Sequence, residues 1–495
     1  MKNRIRQIKY THYFMAVMAF IAPIILSNFY YIDDNYRAIT GDDAWDIDGR
    51  PLSNLIMYTV NLNMHLADIF PIPTIISSLL IAFCMFRYAK SITQDDDSFY
   101  IKLIIPLGIM ASPFLVENSS YRFDVLPMYT SIALSYVFVI YKNRNRFLSI
   151  FIYSTCITAI LSTYQASINF TLSMILCEFL RRFISDNENK NTIMFLIDCF
   201  VSLILGAIVY FKIVVPIFLT APQTSDHPSI NIGKLTEVFF DNSLYYITTI
   251  KDSIPVGITY YSCIAILITG FISALFFSIL RMRYDRSIQS VILSIILLLS
   301  PIAAIFFSFV SLSLLDGKVI VPRVMIGFSG TCLFFFTLVY FFAKRTINYL
   351  VILLYIPVLY SVGLYSAYAN AMSTDKVITE TLMHEIKKDS LSLSASTSPM
   401  LFFYGERPLN KVFANSFRNY PVITRIVPNY FYNWTLPFTY MSRIGINIKQ
   451  PEGVNPPEII GKYDFCDSKK LISYDYNLIY KNDIIFVDFS KTLCK

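Results

Sequence analysis

Six aspartates and two arginines crowd the chain just after its first apolar run: Asp33, Asp34, Arg37, Asp42, Asp43, Asp46, Asp48 and Arg50. Acids are costly to hold beside hydrocarbon, so such a cluster at a bilayer exit points to work on a proton, an ion or a phosphate. Asp33 and Asp34 are neighbours, and successive side chains diverge in a helix or a strand. One is expected to face a reaction site and the other to support it. A carboxylate against an apolar wall has a raised pKa and becomes a better base toward a hydroxyl, while nearby arginines keep it ionised. The competing reading is a solvated acidic helix exit.

Cations supply the second half of the pattern. Arg37, Arg50, Arg122 and Arg323 all follow apolar runs on one side of the chain's zigzag. A guanidinium fork matches phosphate oxygens, so four of them at helix ends suit a lipid phosphate. Ion pairs with Asp33, Asp34, Asp48 or Asp124, or contacts with phospholipid headgroups, are the alternatives. Lys212 stands inside an apolar stretch, either snorkelling to the interface or adding another phosphate contact. Tyr36, Trp45, Tyr121 and Tyr164 are aromatic candidates for stacking on a sugar ring. The four histidines, His12, His65, His227 and His384, are scattered and suggest neither a metal cluster nor a nucleophile's partner.

These residues need elements to carry them, and the composition says which. The chain is 55% hydrophobic and 15% charged, with a mean hydropathy of +0.53. Soluble domains carry about 25% charged residues, so a soluble enzyme is excluded in favour of an integral membrane protein. The net charge of +7 is divided among short clusters between apolar runs, which orient helices and imply no nucleic-acid partner. Apolar stretches of spanning length fall at 12–32, 69–88, 101–116, 126–141, 147–164, 166–180, 192–220, 258–280, 287–315, 321–343 and 349–369. The expected fold is therefore a polytopic α-helical membrane protein with about eleven transmembrane helices.

Alternate connections carry Lys and Arg, which places the N-terminus in the cytoplasm by the positive-inside rule. The other connections then lie outside: 33–68, 117–125, 164–167, 221–257 and 316–323, with everything after residue 370. Polar chemistry gathers on that face. Asp46 and Asp48 form a DxD pattern of the kind that holds a metal for nucleotide sugars, which are absent there, so no metal is assigned.

Residues 371–495 shift to Pro, Asn, Tyr and Lys and are long enough for a small α/β domain outside the membrane. A helix is expected at 375–388, with strands at 401–404, 474–480 and 484–489, the last two joined by a hairpin through Lys481, Asn482 and Asp483. Six cysteines sit singly in apolar runs, whereas Cys466 and Cys494 flank the hairpin as a possible disulfide in an oxidising compartment.

Six short motifs in order now form a pattern: Asp33-Asp34-Asn35-Tyr36-Arg37, Asp48-Gly49-Arg50-Pro51-Leu52, Asp68 before Phe70-Pro71-Ile72-Pro73, Tyr121-Arg122-Phe123-Asp124, Tyr164-Gln165 and Pro322-Arg323-Val324. Together they resemble the bacterial O-antigen glucosyltransferase family of phage serotype conversion. That family looks like the GT-C class, whose first outer loop supplies a catalytic carboxylate and whose donor is a polyprenyl-phosphate sugar. The resemblance covers most of residues 1–370 and none of the tail.

It implies transfer of glucose from undecaprenyl-phosphate-glucose to a hydroxyl of lipid-linked O-antigen repeats at the periplasmic face of the inner membrane. Two helpers are also implied, a donor-synthesising glycosyltransferase and a flippase. Asp33, with Asp34 as the alternative, would take the acceptor proton, and Arg37, Arg122 and Arg323, with Lys212, would stabilise the leaving phosphate. Arg50, Asp48, Asp124, Tyr164 and Gln165 would hold the loop or touch sugar. No cofactor is required by this chemistry, although acids at such density could bind a divalent metal. The competing classes are a lipid-linked sugar flippase, which would place polar residues at mid-membrane depth, and an O-antigen polymerase.

Overall fold

A computed structural model describes residues 8–143, 145–185, 188–220, 230, 232–394, 399–407, 410–432, 435–449, 465, 467–481 and 483–493. Among the described residues, the eleven apolar stretches become seven helices long and apolar enough to cross a membrane, two shorter apolar helices and two stretches of another kind. The seven are Tyr10–Ser27, Ile72–Ile92, Asn189–Phe218, Ile258–Tyr284, Ile288–Phe307, Pro322–Arg345 and Asn348–Leu393. Val125–Ile140 and Arg146–Leu161 are the shorter pair.

The stretch expected at 101–116 is not one helix. Pro106 and Pro113 lack N–H donors and divide it into helix Phe99–Ile104, a tighter turn Pro106–Ala111 and helix Leu115–Asn118. Irregular backbone at membrane depth is tolerated where protein surrounds it, and residues 104–129 are buried throughout. The stretch at 166–180 lies in helix Ile168–Ser185, whose Glu178 pairs with Arg181 and Arg182.

Helix Gly327–Arg345 runs through the centre, packed on Ile168–Ser185, Ile258–Tyr284 and Ile288–Phe307. Small residues let these helices meet closely, the usual device where lipid removes the hydrophobic drive between helices. A Cβ on Gly206 would lie 2.6 Å from Cβ of Ile157, so helices Arg146–Leu161 and Asn189–Val209 touch backbone to side chain there. Gly206→Leu is accordingly expected to separate this pair and lower the melting temperature in detergent; an unchanged melt would contradict the packing.

Charges collect at the two ends of the bundle. At one, Arg146 pairs with Asp198, Lys344 with Asp96 and Asp97, and Arg281 donates to Asn189. At the other lie the acidic first loop, the 117–124 turn, the 316–323 link and the tail.

The segment 221–257, expected outside, is not all loop: Leu235–Asp252 is an amphipathic helix that buries Asn242, Ser243, Tyr246 and Thr249 against the bundle. Residues 221–229 and 231 lie outside the described residues. Helix Tyr355–Leu393 runs 39 residues without a break, through the 370/371 division drawn from composition. It is about 58 Å long at 1.5 Å per residue, well beyond a hydrocarbon core of about 30 Å.

Its far half is the spine of the tail. Leu382, Met383, Ile386 and Leu393 pack on a four-stranded sheet of β1 (Met400–Tyr404), β2 (Lys469–Ile472), β3 (Asn477–Lys481) and β4 (Ile484–Asp488). The spatial order is β1-β4-β3-β2, with β1 parallel to β4 and the other pairs antiparallel. The expected hairpin is β3–β4, closing at Lys481 opposite Ile484, and Asp483 takes the positive φ of 63° that such a turn needs. β2 had no counterpart among the expected strands. Cys466 and Cys494, the possible disulfide, lie outside the described residues.

A buried ion pair fastens sheet to spine. Arg407, just past β1, places Nη2 2.5 Å from Asp375 Oδ1 and donates through Nη1 to Thr379 Oγ1 at 2.9 Å. Removing one partner of such a pair strands the other charge and costs about 3–5 kcal/mol. Arg407→Ala should therefore open the tail to protease while the membrane helices keep their protection. Equal cleavage of variant and parent would contradict this.

Candidate functional site

The first loop folds back on the bundle end by way of Asp34. Its fully buried carboxylate accepts backbone N–H groups from Tyr31 at 3.0 Å, from Arg122 at 3.0 and 3.1 Å, and from Phe123 at 3.4 Å. Burial pushes this carboxyl up to about 8, against the pull of the Arg122 and Tyr31 N–H groups. Asp34 is thereby the clasp between the loop and the Tyr121–Asp124 turn. Asp33, one residue earlier, points elsewhere. It precedes helix Asp34–Thr40 and is partly buried; its carbonyl accepts the Arg37 N–H at 3.0 Å, while its side chain makes no hydrogen bond or ion pair with the described residues.

What surrounds Asp33 is charge. Burial raises its pKa above the ordinary aspartate value; Arg323 lowers it most, Asp124 raises it, and Arg37 and Arg50 lower it further. Five residues from four separate segments thus share one small region. Arg323 is the most telling of them. Its N–H donates to Glu117 Oε2 at 2.6 Å, and its carbonyl accepts from Asn118 Nδ2 at 3.2 Å and the Tyr164 hydroxyl at 3.1 Å. The backbone is pinned from both sides. Yet the guanidinium makes no ion pair among the described residues: Nη1 is buried without a hydrogen bond, and the group lies over the Tyr121 ring, 5.2 Å from its centre.

Arg37 and Arg50 are held more firmly. Arg37 lies 3.9 Å from the Trp45 ring centre, donates to the Asp42 carbonyl at 3.1 Å, and has Nε 3.6 Å from Asp124 Oδ2. Asp124 in turn accepts the indole N–H of Trp45 at 2.6 Å. Arg50 pairs with Asp48 at 2.8 Å. Gln165 donates to the Asp48 carbonyl at 3.3 Å and to the Tyr210 hydroxyl at 3.0 Å, and that hydroxyl donates to the Gly49 carbonyl at 3.0 Å. These bonds tie the 46–50 turn to the bundle. Among the described residues, Asp46 and Asp48 join no group of three or more potential metal ligands.

Two of the expected phosphate ligands stand apart. Arg122 is buried and engaged: Nε donates to the Phe29 carbonyl at 2.8 Å, Nη1 to Asp68 at 2.7 Å and Nη2 to Asn28 at 2.5 Å, with the Tyr30 ring 3.7 Å away. It holds the loop, as Asp34 does. Lys212 lies on an exposed face between exposed Phe211 and Ile213. The residue that this stretch does send to the site is Tyr210, two positions earlier, which the sequence reading passed over. Hydropathy fixes depth along a helix but not rotation about it.

Glu117, Tyr31 and the tail were also missed. Tyr31 donates to Glu117 Oε1 at 3.1 Å and to the Ile426 carbonyl at 2.9 Å, so one hydroxyl joins bundle, loop and tail. The Tyr430 hydroxyl accepts the Ile32 N–H at 3.0 Å, and Arg443 Nε donates to Asn35 Oδ1 at 2.7 Å. The aromatic run Tyr430-Phe431-Tyr432 was the available signal.

An apolar cleft of about 320 Å³ opens between helices Leu235–Asp252, Ile258–Tyr284, Gly327–Arg345 and Tyr355–Leu393. It shares no lining residue with the charged group. One wall nevertheless begins at Phe328, five residues after Arg323, and continues along the same helix through Cys332 to Phe336.

One end of this helical membrane protein thus gathers, among the described residues, a carboxylate without a hydrogen bond or ion pair and a guanidinium whose buried Nη1 has no hydrogen bond. The chain belongs to the glucosyl transferase GtrII family, whose sequence profile matches residues 22–334. It is also similar to an uncharacterized 55.3 kDa protein in the gtrB 5′ region of Salmonella phage P22, at 26% identity over 443 residues, 85% of this chain and 87% of that one. No solved structure matches. The matched region contains Asp33 and the charged residues that act on it most, Arg323, Asp124, Arg37 and Arg50, and membership of the family supports a glucosyltransferase role.

Proposed function

We propose that the protein transfers a glucosyl residue from undecaprenyl-phosphate-glucose to a hydroxyl of lipid-linked O-antigen repeats, at the periplasmic face of the bacterial inner membrane. The observation that carries this reading is the pair Asp33 and Arg323: among the described residues the carboxylate has no hydrogen bond or ion pair, Arg323 is the cation that acts on it most, and Nη1 of that guanidinium is buried without a hydrogen bond. An acid without a partner is available to take a proton. An arginine without one is available to bind an anion.

In the reaction, the acceptor oxygen attacks the anomeric carbon as its proton passes to Asp33. The bond from that carbon to the phosphate oxygen breaks, and the phosphate leaves with the electron pair. Negative charge on the departing oxygen grows toward Arg323, with Arg37 and Arg50 behind it. Direct displacement inverts the anomeric configuration. Arg122 and Asp34 hold the loop in this scheme, and Lys212 has no part in it. Asp124, Asp48, Tyr164 and Gln165 keep the arginines and the 46–50 turn in place. The scheme requires no metal. A glycosyltransferase to make the lipid-linked glucose and a flippase to deliver it complete the system.

The test is mass and linkage determination of the polysaccharide from cells with and without the protein. One added hexose per repeat supports the reading; longer chains with unmodified repeats would overturn it in favour of polymerisation.

The apolar cleft suits the donor's isoprenoid chain, since its wall begins just past Arg323. Cys263→Trp, which fills it, should raise KM for a long-chain donor about tenfold, equivalent to ~1.4 kcal/mol, and leave a short-chain analogue unaffected. Equal effects on both donors would remove the chain from the cleft.

A further inference from the structure

The tail reaches Asp33 itself, and this assigns a role that no motif in the sequence marks. Its contacts bracket that residue on both sides. Before it, the Tyr430 hydroxyl receives the Ile32 N–H at 3.0 Å and donates to the Tyr30 carbonyl at 3.3 Å. After it, Arg443 donates to Asn35 at 2.7 Å and lies 4.3 Å from the centre of the Tyr30 ring. Lys376, on the long helix, donates to the Asn28 carbonyl at 3.2 Å. Helix Thr435–Arg443 packs along helix Asp34–Thr40. Between these anchors the chain passes Tyr432, two residues beyond Tyr430.

Tyr432 differs from the aromatics that surround it. Tyr430 and Phe431 are buried in the tail's core, whereas Tyr432 is partly exposed. Among the described residues, Asp33 is the charged group that acts on its hydroxyl, which burial first and the Asp33 charge second push up to about 12. Three of the four aromatics expected to stack on a sugar are poorly placed for it. Trp45, Tyr121 and Tyr164 are 0%, 1% and 6% exposed, which leaves Tyr36, at 40%, as the remaining candidate of that set. Sugar rings have apolar C–H faces and polar edges, and a partly exposed Tyr matches both, with an apolar body and a hydrogen-bonding tip.

We propose that Tyr432 forms the acceptor-facing wall of the site, its ring packed on the acceptor sugar beside Asp33, so that the tail determines which hydroxyl meets the base. Arg323, Arg37 and Arg50 come from the bundle and its first loop and serve the donor phosphate; the tail serves the acceptor. This assignment rests on the glycosyl-transfer reading above and gives it a division of labour.

The experiment uses full-length protein in nanodiscs and delipidated O-polysaccharide from the strain that carries the gene. Binding is measured in an Asp33→Asn background, where no turnover is needed, and KM values for both substrates are measured with Asp33 intact. Tyr432→Ala should weaken polysaccharide binding and raise acceptor KM at least tenfold, with donor KM moving less than twofold. Tyr432→Phe, which keeps the ring, should hold acceptor KM within about threefold of the parent. Unchanged polysaccharide binding in Tyr432→Ala would overturn the proposal, as would an equal rise in donor KM, or an acceptor defect in Tyr36→Ala that Tyr432→Ala lacks. Failure of the glycosyl-transfer reading is separately visible, as parent protein that binds polysaccharide and transfers no sugar.

Discussion

Asp33→Asn is expected to lower sugar transfer by about a thousandfold while the protein accumulates and melts as the parent does. A positioned base contributes about 10²–10⁴ to such a rate, and the amide cannot take a proton. The Asp33 side chain bonds to none of the described residues, so the described fold does not lean on it. Asp34→Asn is expected to behave in the opposite way. Its buried carboxylate receives three backbone N–H donors, and an amide would aim its own N–H groups at some of them. Each buried donor left unsatisfied costs about 1–3 kcal/mol, so the loop loosens, yield falls, and the molecules that do fold retain some transfer. The pair is checked by lipopolysaccharide mass analysis beside immunoblot and thermal melt. Full activity in Asp33→Asn would end its role as the base; a fully stable but inactive Asp34→Asn would move that role one residue along.

Arg323 carries the second large effect. Arg323→Gln removes the unpartnered cation but keeps the backbone bonds to Glu117, Asn118 and Tyr164, so the fold should survive. Loss of one preorganised donor aimed at developing charge costs about 10²–10³ in kcat. The same change alters the pH profile, and the sign follows from the site. Arg323 is the strongest influence holding the Asp33 pKa down. Without it the carboxyl keeps its proton to higher pH, and the acidic limb of the rate profile moves upward. Arg323→Lys retains the charge without the fork, so its acidic limb should stay near the parent's while kcat remains depressed. An acidic limb that does not move in Arg323→Gln would separate Arg323 from Asp33. A limb that moves with undiminished kcat would remove Arg323 from the phosphate.

How far these contacts were legible varies with the kind of information each needs. The apolar stretches announce themselves by length, and the alternation of basic and acidic connections sorts Asp33, Arg37, Arg50 and Arg323 to one end of the bundle. Choosing between Asp33 and Asp34 requires knowing that the amides of Arg122 and Phe123 lie against Asp34, a contact across 88 residues that no local pattern encodes. Arg122 and Arg323 look alike as letters. One is surrounded by Asn28, Phe29 and Asp68, the other is left open, and only the packing distinguishes them. Lys212 lies within its apolar stretch as expected, and its side chain is on an exposed face of the helix. At residue 370 hydropathy changes sharply, which suggested a boundary, yet no Pro or Gly interrupts the chain between Gly363 and Ser394, and that absence was the available sign of one continuous helix.

That helix has a consequence for how specificity can change. A tail hung on a flexible linker would sample many heights above the bilayer and meet any hydroxyl within reach. A tail built on the rigid extension of a membrane helix, and fastened through Arg407 to Asp375 on that helix, has one height and one bearing. On the proposed glycosyl-transfer reading, the acceptor is then expected to meet the enzyme in register, with the receiving sugar a set distance from the lipid. Variation that retargets such a machine is then confined to the lining of the tail's near face, because any change in the length of the helix would swing the whole tail about 100° per residue and break its hold on the first loop.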